Sequence, residues 1–148
     1  ASRLLPARLR DDHIPHVTYT DPELAQIGLT EAAARERHGA ALSVVRLGFE
    51  ASDRAQAEGR TAGLIKLMAV RGRAVGATIA GPGAGEQIAI WSLILANRLK
   101  LTALTGTVLP YPTLAELSKR AAGAYFAPRL FGNATVKRVV GWVQRWLP

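Results

Sequence analysis

GLIKLMAVRGRAVGATIAGPGAGEQI, residues 63–88, decides the fold. Thr61 to Val70 reads as a strand and Arg71-Gly72-Arg73 as a tight connection. Ala74 to Ala80 is the returning strand, with Val75, Ala77 and Ile79 on one face. Two such runs joined by a short Gly-containing loop predict an antiparallel hairpin. The glycine-rich GPGAGE, residues 81–86, then opens a helix that runs to about Leu99. Ile88, Ile90, Trp91, Leu93, Ile94 and Leu95 make that helix apolar on nearly every side. A helix without a polar face belongs in a core or against another subunit.

Upstream of the hairpin, His13 to Thr20 reads as a strand that Asp21-Pro22 ends, because the residue before proline avoids the helical region. Thr30 caps a short helix, EAAARERH, that stops at Gly39. Leu42 to Phe49 alternates, with Val45, Leu47 and Phe49 facing one way and Val44 and Arg46 the other. That is a half-buried strand. Ser52 to Gly59 is polar and reads as a loop or a single turn. Downstream, Leu101 to Val108 reads as a connector, Pro112 begins a helix with Leu114, Leu117, Ala121 and Tyr125 along one stripe, and Pro128 ends it. Strands followed by helices, with hairpin pairing, give an α+β fold: an antiparallel sheet flanked by helices, not a doubly wound parallel one.

The 148 residues fit one domain, at 49% hydrophobic and 20% charged. There is no cysteine, which excludes a disulfide scaffold, a thiolate metal site and a cysteine redox pair within these residues. No apolar run reaches the roughly 20 residues of a membrane span. The chain opens on Ala1 without a leader-like segment and reads as a piece of a longer polypeptide. The net charge of +8 is uneven: Glu116 is the last acidic residue, and Lys119, Arg120, Arg129, Lys137, Arg138 and Arg145 follow it. Such asymmetry suits an anionic neighbour, or simply a solvated surface.

The glycine-rich corner fails as a dinucleotide fingerprint. The third glycine would have to stand at Glu86 or Ile88, and Glu86 places a carboxylate where a pyrophosphate belongs. It reads instead as a tight turn, with Glu86 favoured by the helix dipole. His13, His16 and His38 lack the partners of a metal set, so no metal site is expected, and His38 suits a helix end as a cation. Ser92 and Ser118 have no nearby histidine and give no argument for a nucleophile. In PYPTLAEL, residues 110–117, two prolines clamp Tyr111, while Thr113 and Glu116 have capping-box spacing. Tyr111 is therefore either a presented functional group or a half-buried turn aromatic, and Glu116 either its partner or a helix cap.

Three segments, in order, resemble one family. PHVTYTDPELAQIGLTE, residues 15–31, the 63–88 segment and PYPTLAEL are similar to the opening strand, the hairpin with its helix start, and the His-Pro-Thr-x-x-Glu run of a single domain type. That domain is the C-terminal dimerisation domain of the pyridine nucleotide–disulfide oxidoreductases, the flavoprotein disulfide reductases. The resemblance covers about residues 13–126, leaving 1–12 as a linker from upstream domains and 127–148 as a basic amphipathic tail. It implies a homodimer, for which the apolar helix 84–99 and the helix 111–126 are the expected interface. Tyr111 in the His place and Glu116 in the Glu place then act as catalytic residues on the partner's flavin and redox site. Tyrosine has a reference pKa of about 10 against about 6.5 for histidine, so it suits hydrogen-bond donation better than base work. Mercuric reductases within the family also carry tyrosine here, although their extra cysteine pair near the C-terminus is absent.

The resemblance further implies FAD and NAD(P)H for the parent enzyme, bound by upstream FAD and NAD(P) domains. It implies no cofactor and no turnover for these residues alone, so purified 1–148 should show no flavin absorbance. The implied location is cytoplasmic. In the tail, Val136, Val139, Val140, Val143 and Leu147 recur at helical spacing, and Trp142 and Trp146 share a face. Residues 129–148 could thus lie on a membrane surface, or dock on protein. The rival readings are a structural or binding module with Tyr111 silent, and a nucleic-acid binder, which lacks any base-reading motif.

Overall fold

The computed structural model describes residue 11 and residues 13–132, with backbone only over 129–132. The expected tail helix beyond residue 132 and most of the expected linker lie outside the described residues. Five strands form one antiparallel sheet in the order β1-β2-β5-β4-β3. They are β1 (His16–Thr18), β2 (Glu23–Gly28), β3 (Leu42–Gly48), β4 (Leu64–Val70) and β5 (Arg73–Gly81). The helices are α1 (Glu31–His38), α2 (Asp53–Ala57), α3 (Ala84–Ala96), α4 (Leu101–Gly106) and α5 (Ala115–Gly132). The α+β expectation holds.

The expected hairpin is β4–β5, closed by Arg71 and Gly72 at φ 48° and 79°. Two successive positive φ values match the twist of the strands they join. Alternation then sorts the sheet into two faces. Leu47, Ile65, Ile79 and Ala25 lie in one cross-strand row, and Val45, Leu67, Ala77 and Ile27 in the next. Both rows meet α3, α4 and α5 through Ile88, Trp91, Ile94, Leu101, Leu104, Leu117 and Ala121. The opposite face carries the polar row Arg46, Lys66, Thr78 and Gln26, where Thr78 Oγ1 donates to Gln26 Oε1.

Several expectations need correction. Residues 23–28 form a strand between β1 and β5 that the sequence did not suggest, and β1 shrinks to three residues. Leu101–Gly106 is a helix rather than a connector. Ser52 caps a helix at Asp53–Ala57 by accepting from the Ala55 N–H. α5 begins at Ala115, not Pro112, and runs through Pro128 to Gly132. Thr113 does not form the capping box: its Oγ1 donates to the Pro110 carbonyl at 2.8 Å, holding residues 110–113 as a turn. The α1 boundaries hold, with Thr30 accepting from the Ala33 N–H and Gly39 closing the helix.

Two polar contacts fasten these layers. Tyr125 is buried, and its hydroxyl accepts from the Gly72 N–H at 2.8 Å, tying α5 to the hairpin tip. Tyr125→Phe leaves that amide without its partner and should cost about 1–2 kcal/mol. Urea denaturation checks it, as a lower midpoint at unchanged slope.

On the other face, Glu31 at the start of α1 bonds Arg35, Arg46 of β3 and Lys66 of β4. The hydrogen bonds from Arg35 and Arg46 hold its carboxyl at about 2, against an ordinary 4.5. A carboxyl that binds protons less readily folded than unfolded stabilises the fold above its unfolded pKa. That contribution is full at neutral pH and disappears as pH falls from about 4.5 towards about 2. Glu31→Gln should therefore melt below wild type at pH 7, and the two thermal midpoints should converge as pH approaches 2.

Candidate functional site

The glycine-rich corner is a structural joint. Gly83 starts α3 at φ 63°, a left-handed conformation that glycine adopts without strain. The half-buried N–H of Gly85 donates to Glu23 Oε2 of β2 at 2.7 Å. A carboxylate thus already occupies the positive end of the α3 dipole. A dinucleotide pyrophosphate does not fit there. Sequence reasoning looked to Glu86, which sits exposed in the first helical turn, while Glu23 fills the place. The two serines are equally committed. Ser118 Oγ accepts from Trp91 Nε1 at 3.0 Å, and Ser92 Oγ donates to the Ile88 carbonyl at 3.3 Å. Among the described residues, no three His, Asp or Glu side chains gather as a metal-ligand set, and no helix is long and apolar enough to cross a membrane.

Tyr111 stands at the foot of α5, 69% exposed, on the turn that Thr113 closes. The Tyr111–Pro112 peptide bond is cis. The Tyr111 hydroxyl donates to Asp53 Oδ2 at 3.1 Å, and Arg120 Nη2 reaches the same oxygen at 3.0 Å. Asp53 begins α2 and Arg120 lies one turn into α5 from Glu116, so three separate segments converge on one carboxylate oxygen. The hydrogen bond to Asp53, and then the Asp53 charge, raise the Tyr111 pKa above its ordinary 10. The phenol is accordingly neutral at physiological pH, with its single O–H given to Asp53 and its oxygen lone pairs still open to a donor.

Glu116 is placed differently from its expected pairing. It sits half-buried in the first turn of α5 and acts on Tyr111 only as a nearby negative charge. Asp53 holds the phenol instead, 58 positions away in sequence. Sequence reasoning missed Asp53 because nothing local marks it; Ser52-Asp53 reads only as a polar turn or helix start.

The outward side of α3 bears on assembly. Ile88, Trp91, Ile94 and Leu95 face the sheet and are buried, whereas Leu93 is 61% exposed and Ala89 is also exposed. Val108 and Tyr111, on the segment leading into α5, are also exposed. The helix is thus apolar on both sides, and among the described residues only one of them is covered.

Against known proteins, residues 14–122 match the family model described as pyridine nucleotide-disulphide oxidoreductase, dimerisation domain. A dihydrolipoyl dehydrogenase of Thermus scotoductus is 41% identical over 118 residues, 78% of this chain and 25% of that protein. A mercuric reductase of Streptomyces lividans is 37% identical over 114 residues, covering 76% of this chain and 24% of its own length. Among solved structures, the HOCl-induced flavoprotein disulfide reductase RclA of Escherichia coli superposes with a TM-score of 0.71 at 28% identity. That match spans 81% of this chain and 29% of RclA. LpdA of Mycobacterium tuberculosis shares the fold with a TM-score of 0.74 at 23% identity, over 80% of this chain and 26% of its own. The chain thus spans about a quarter of the length of the relatives it matches.

Proposed function

Because the chain belongs to the pyridine nucleotide–disulphide oxidoreductase dimerisation-domain family, we propose that it joins two copies of a flavoprotein and lends Tyr111 to the partner's redox site. The observation that carries this reading is the exposed phenol of Tyr111, held by an Asp53 that Arg120 also engages, in a segment similar to the family's His-Pro-Thr run. FAD and NAD(P)H belong to the parent enzyme and supply the electron transfer. This chain supplies a surface and a hydrogen-bond donor. A neutral phenol with a raised pKa stabilises an anion forming beside it when its single O–H turns from Asp53 to that anion, and it does not act as a base. Glu116 keeps negative charge close by, which disfavours ionisation of the phenol.

The apolar side of α3 that the described residues leave exposed, with Leu93 on it, supports the dimer, since exposed apolar surface on a helix of this kind suits an association site. Leu93→Glu puts a charge into that contact. Sedimentation velocity should show wild type as a dimer and the variant shifted to monomer, with an unchanged far-ultraviolet spectrum. A wild-type protein that stays monomeric at micromolar concentration, or a variant as dimeric as wild type, would count against the reading.

A further inference from the structure

We propose that the cleft bounded by the β4–β5 turn and the ends of α1 and α3 is a binding site for a small molecule bearing a diphosphate. The cleft has a volume of about 1000 Å³ and lies at the opposite end of the sheet from Tyr111. Four guanidinium side chains line it: Arg37 from the last turn of α1, Arg71 and Arg73 from either side of Gly72, and Arg98 just past α3. His16 and His38 add to this lining, and Asp11 is the single carboxylate among the described lining residues. No ion pair within the described residues engages any of the four arginines. Elsewhere the described surface pairs its arginines: Arg35, Arg46, Arg54, Arg60 and Arg120 each meet a carboxylate.

The backbone gives a second, independent sign. Among the described residues only two non-glycine positions have positive φ, Arg71 at 48° and Arg98 at 51°, and both line this cleft. Each occupies a place where glycine or asparagine is favoured: the first position of a two-residue hairpin turn, and the residue past a helix end. A left-handed conformation costs an arginine more than a glycine, so strained arginines converging on one concavity point to a use for their side chains. The dipoles of α1 and α3 favour cations at Arg37 and Arg98. They do not account for Arg71 and Arg73, which come from the hairpin. Arg73 also donates through Nη1 to the Arg98 carbonyl, so one guanidinium ties the two walls together.

Four guanidiniums exceed what one phosphate engages, since arginine binds phosphate oxygens in two-pronged pairs. The floor is apolar, with Leu29, Val70, Val75, Leu95 and Leu99, and suits the organic part of an ester. The lining has no Phe, Tyr or Trp to stack successive bases, which separates it from a single-strand groove.

The test is isothermal titration calorimetry of the protein at low salt, with inorganic pyrophosphate and with adenosine diphosphate as probes. Wild type should bind pyrophosphate, and tighter binding of adenosine diphosphate would identify an organic ester as the ligand, equal binding a free diphosphate. The double variant Arg71→Gly/Arg98→Gly gives both positions the residue their backbone favours, so its melting temperature should hold or rise while affinity falls at least about tenfold. Pyrophosphate heats no larger than those of sodium chloride at matched ionic strength, or equal affinity in wild type and the folded double variant, would overturn the proposal.

Discussion

Tyr111→Phe should lower the turnover of the flavoprotein that carries this chain by about 10- to 100-fold, the equivalent of losing one hydrogen bond to a charged group worth about 1.5–3 kcal/mol. The change removes one oxygen from an exposed ring and leaves its packing intact. Stability should therefore move by no more than about 0.5 kcal/mol, and the fall should appear in kcat with little change in the melting temperature. Asp53 provides the internal control. Asp53→Asn keeps the shape around the phenol but removes the charge that, with the hydrogen bond, raises its pKa. Ultraviolet titration of the Tyr111 phenol in that variant should show ionisation at lower pH than in wild type. Unchanged turnover in Tyr111→Phe would leave the aromatic as a turn residue and no more.

Trp91→Ala should have the largest effect on stability, about 3–5 kcal/mol. Trp91 is fully buried on α3 in the same cluster as Leu117, Ala121 and Tyr125 of α5. Its indole N–H donates to Ser118 Oγ at 3.0 Å, so one side chain provides both packing and the polar link between the two helices. Truncation opens a cavity and leaves the buried Ser118 hydroxyl without that donor. Ser118→Ala, which removes the acceptor but keeps the ring, should cost only about 1–2 kcal/mol. Guanidinium denaturation separates the two, as a large and a small fall in midpoint. A Trp91→Ala protein within about 1 kcal/mol of wild type would mean that α3 is not held to α5 in this way.

The hairpin at residues 64–81 was legible in the sequence because two strand-like apolar runs flank a short Arg-Gly-Arg connection there. The α1 helix was legible because Thr30 and Gly39 stand at its ends in the roles their chemistry favours. β2 was not legible: Glu, Ala, Gln and Gly are weak strand formers, and Glu23–Gly28 is a strand because β1 and β5 pair with it on both sides. The six residues of α4 were too few for a helical period to show. Pro128 marked a boundary by rule, yet α5 continues through it, since a proline biases a helix end without enforcing one.

The site divides along the same line. Tyr111 was readable because prolines bracket it. Its partner was not, because local spacing favoured Glu116, while Asp53 reaches the phenol only after β3, α2 and α5 have packed together. The basic cleft was hidden for a related reason: Arg37, Arg71, Arg73 and Arg98 come from three segments that only the fold brings together. The charge asymmetry that did show in the sequence drew the eye to residues beyond Glu116, far from that cleft in the chain.

The most direct measurement replaces Tyr111 with a benzophenone amino acid in the full flavoprotein, irradiates the sample and maps the cross-linked peptides by mass spectrometry. Presentation of position 111 across a twofold contact predicts a covalent dimer whose cross-links fall in the partner's flavin-binding region. Cross-links confined to the same chain, around Asp53 and α2, would contradict it.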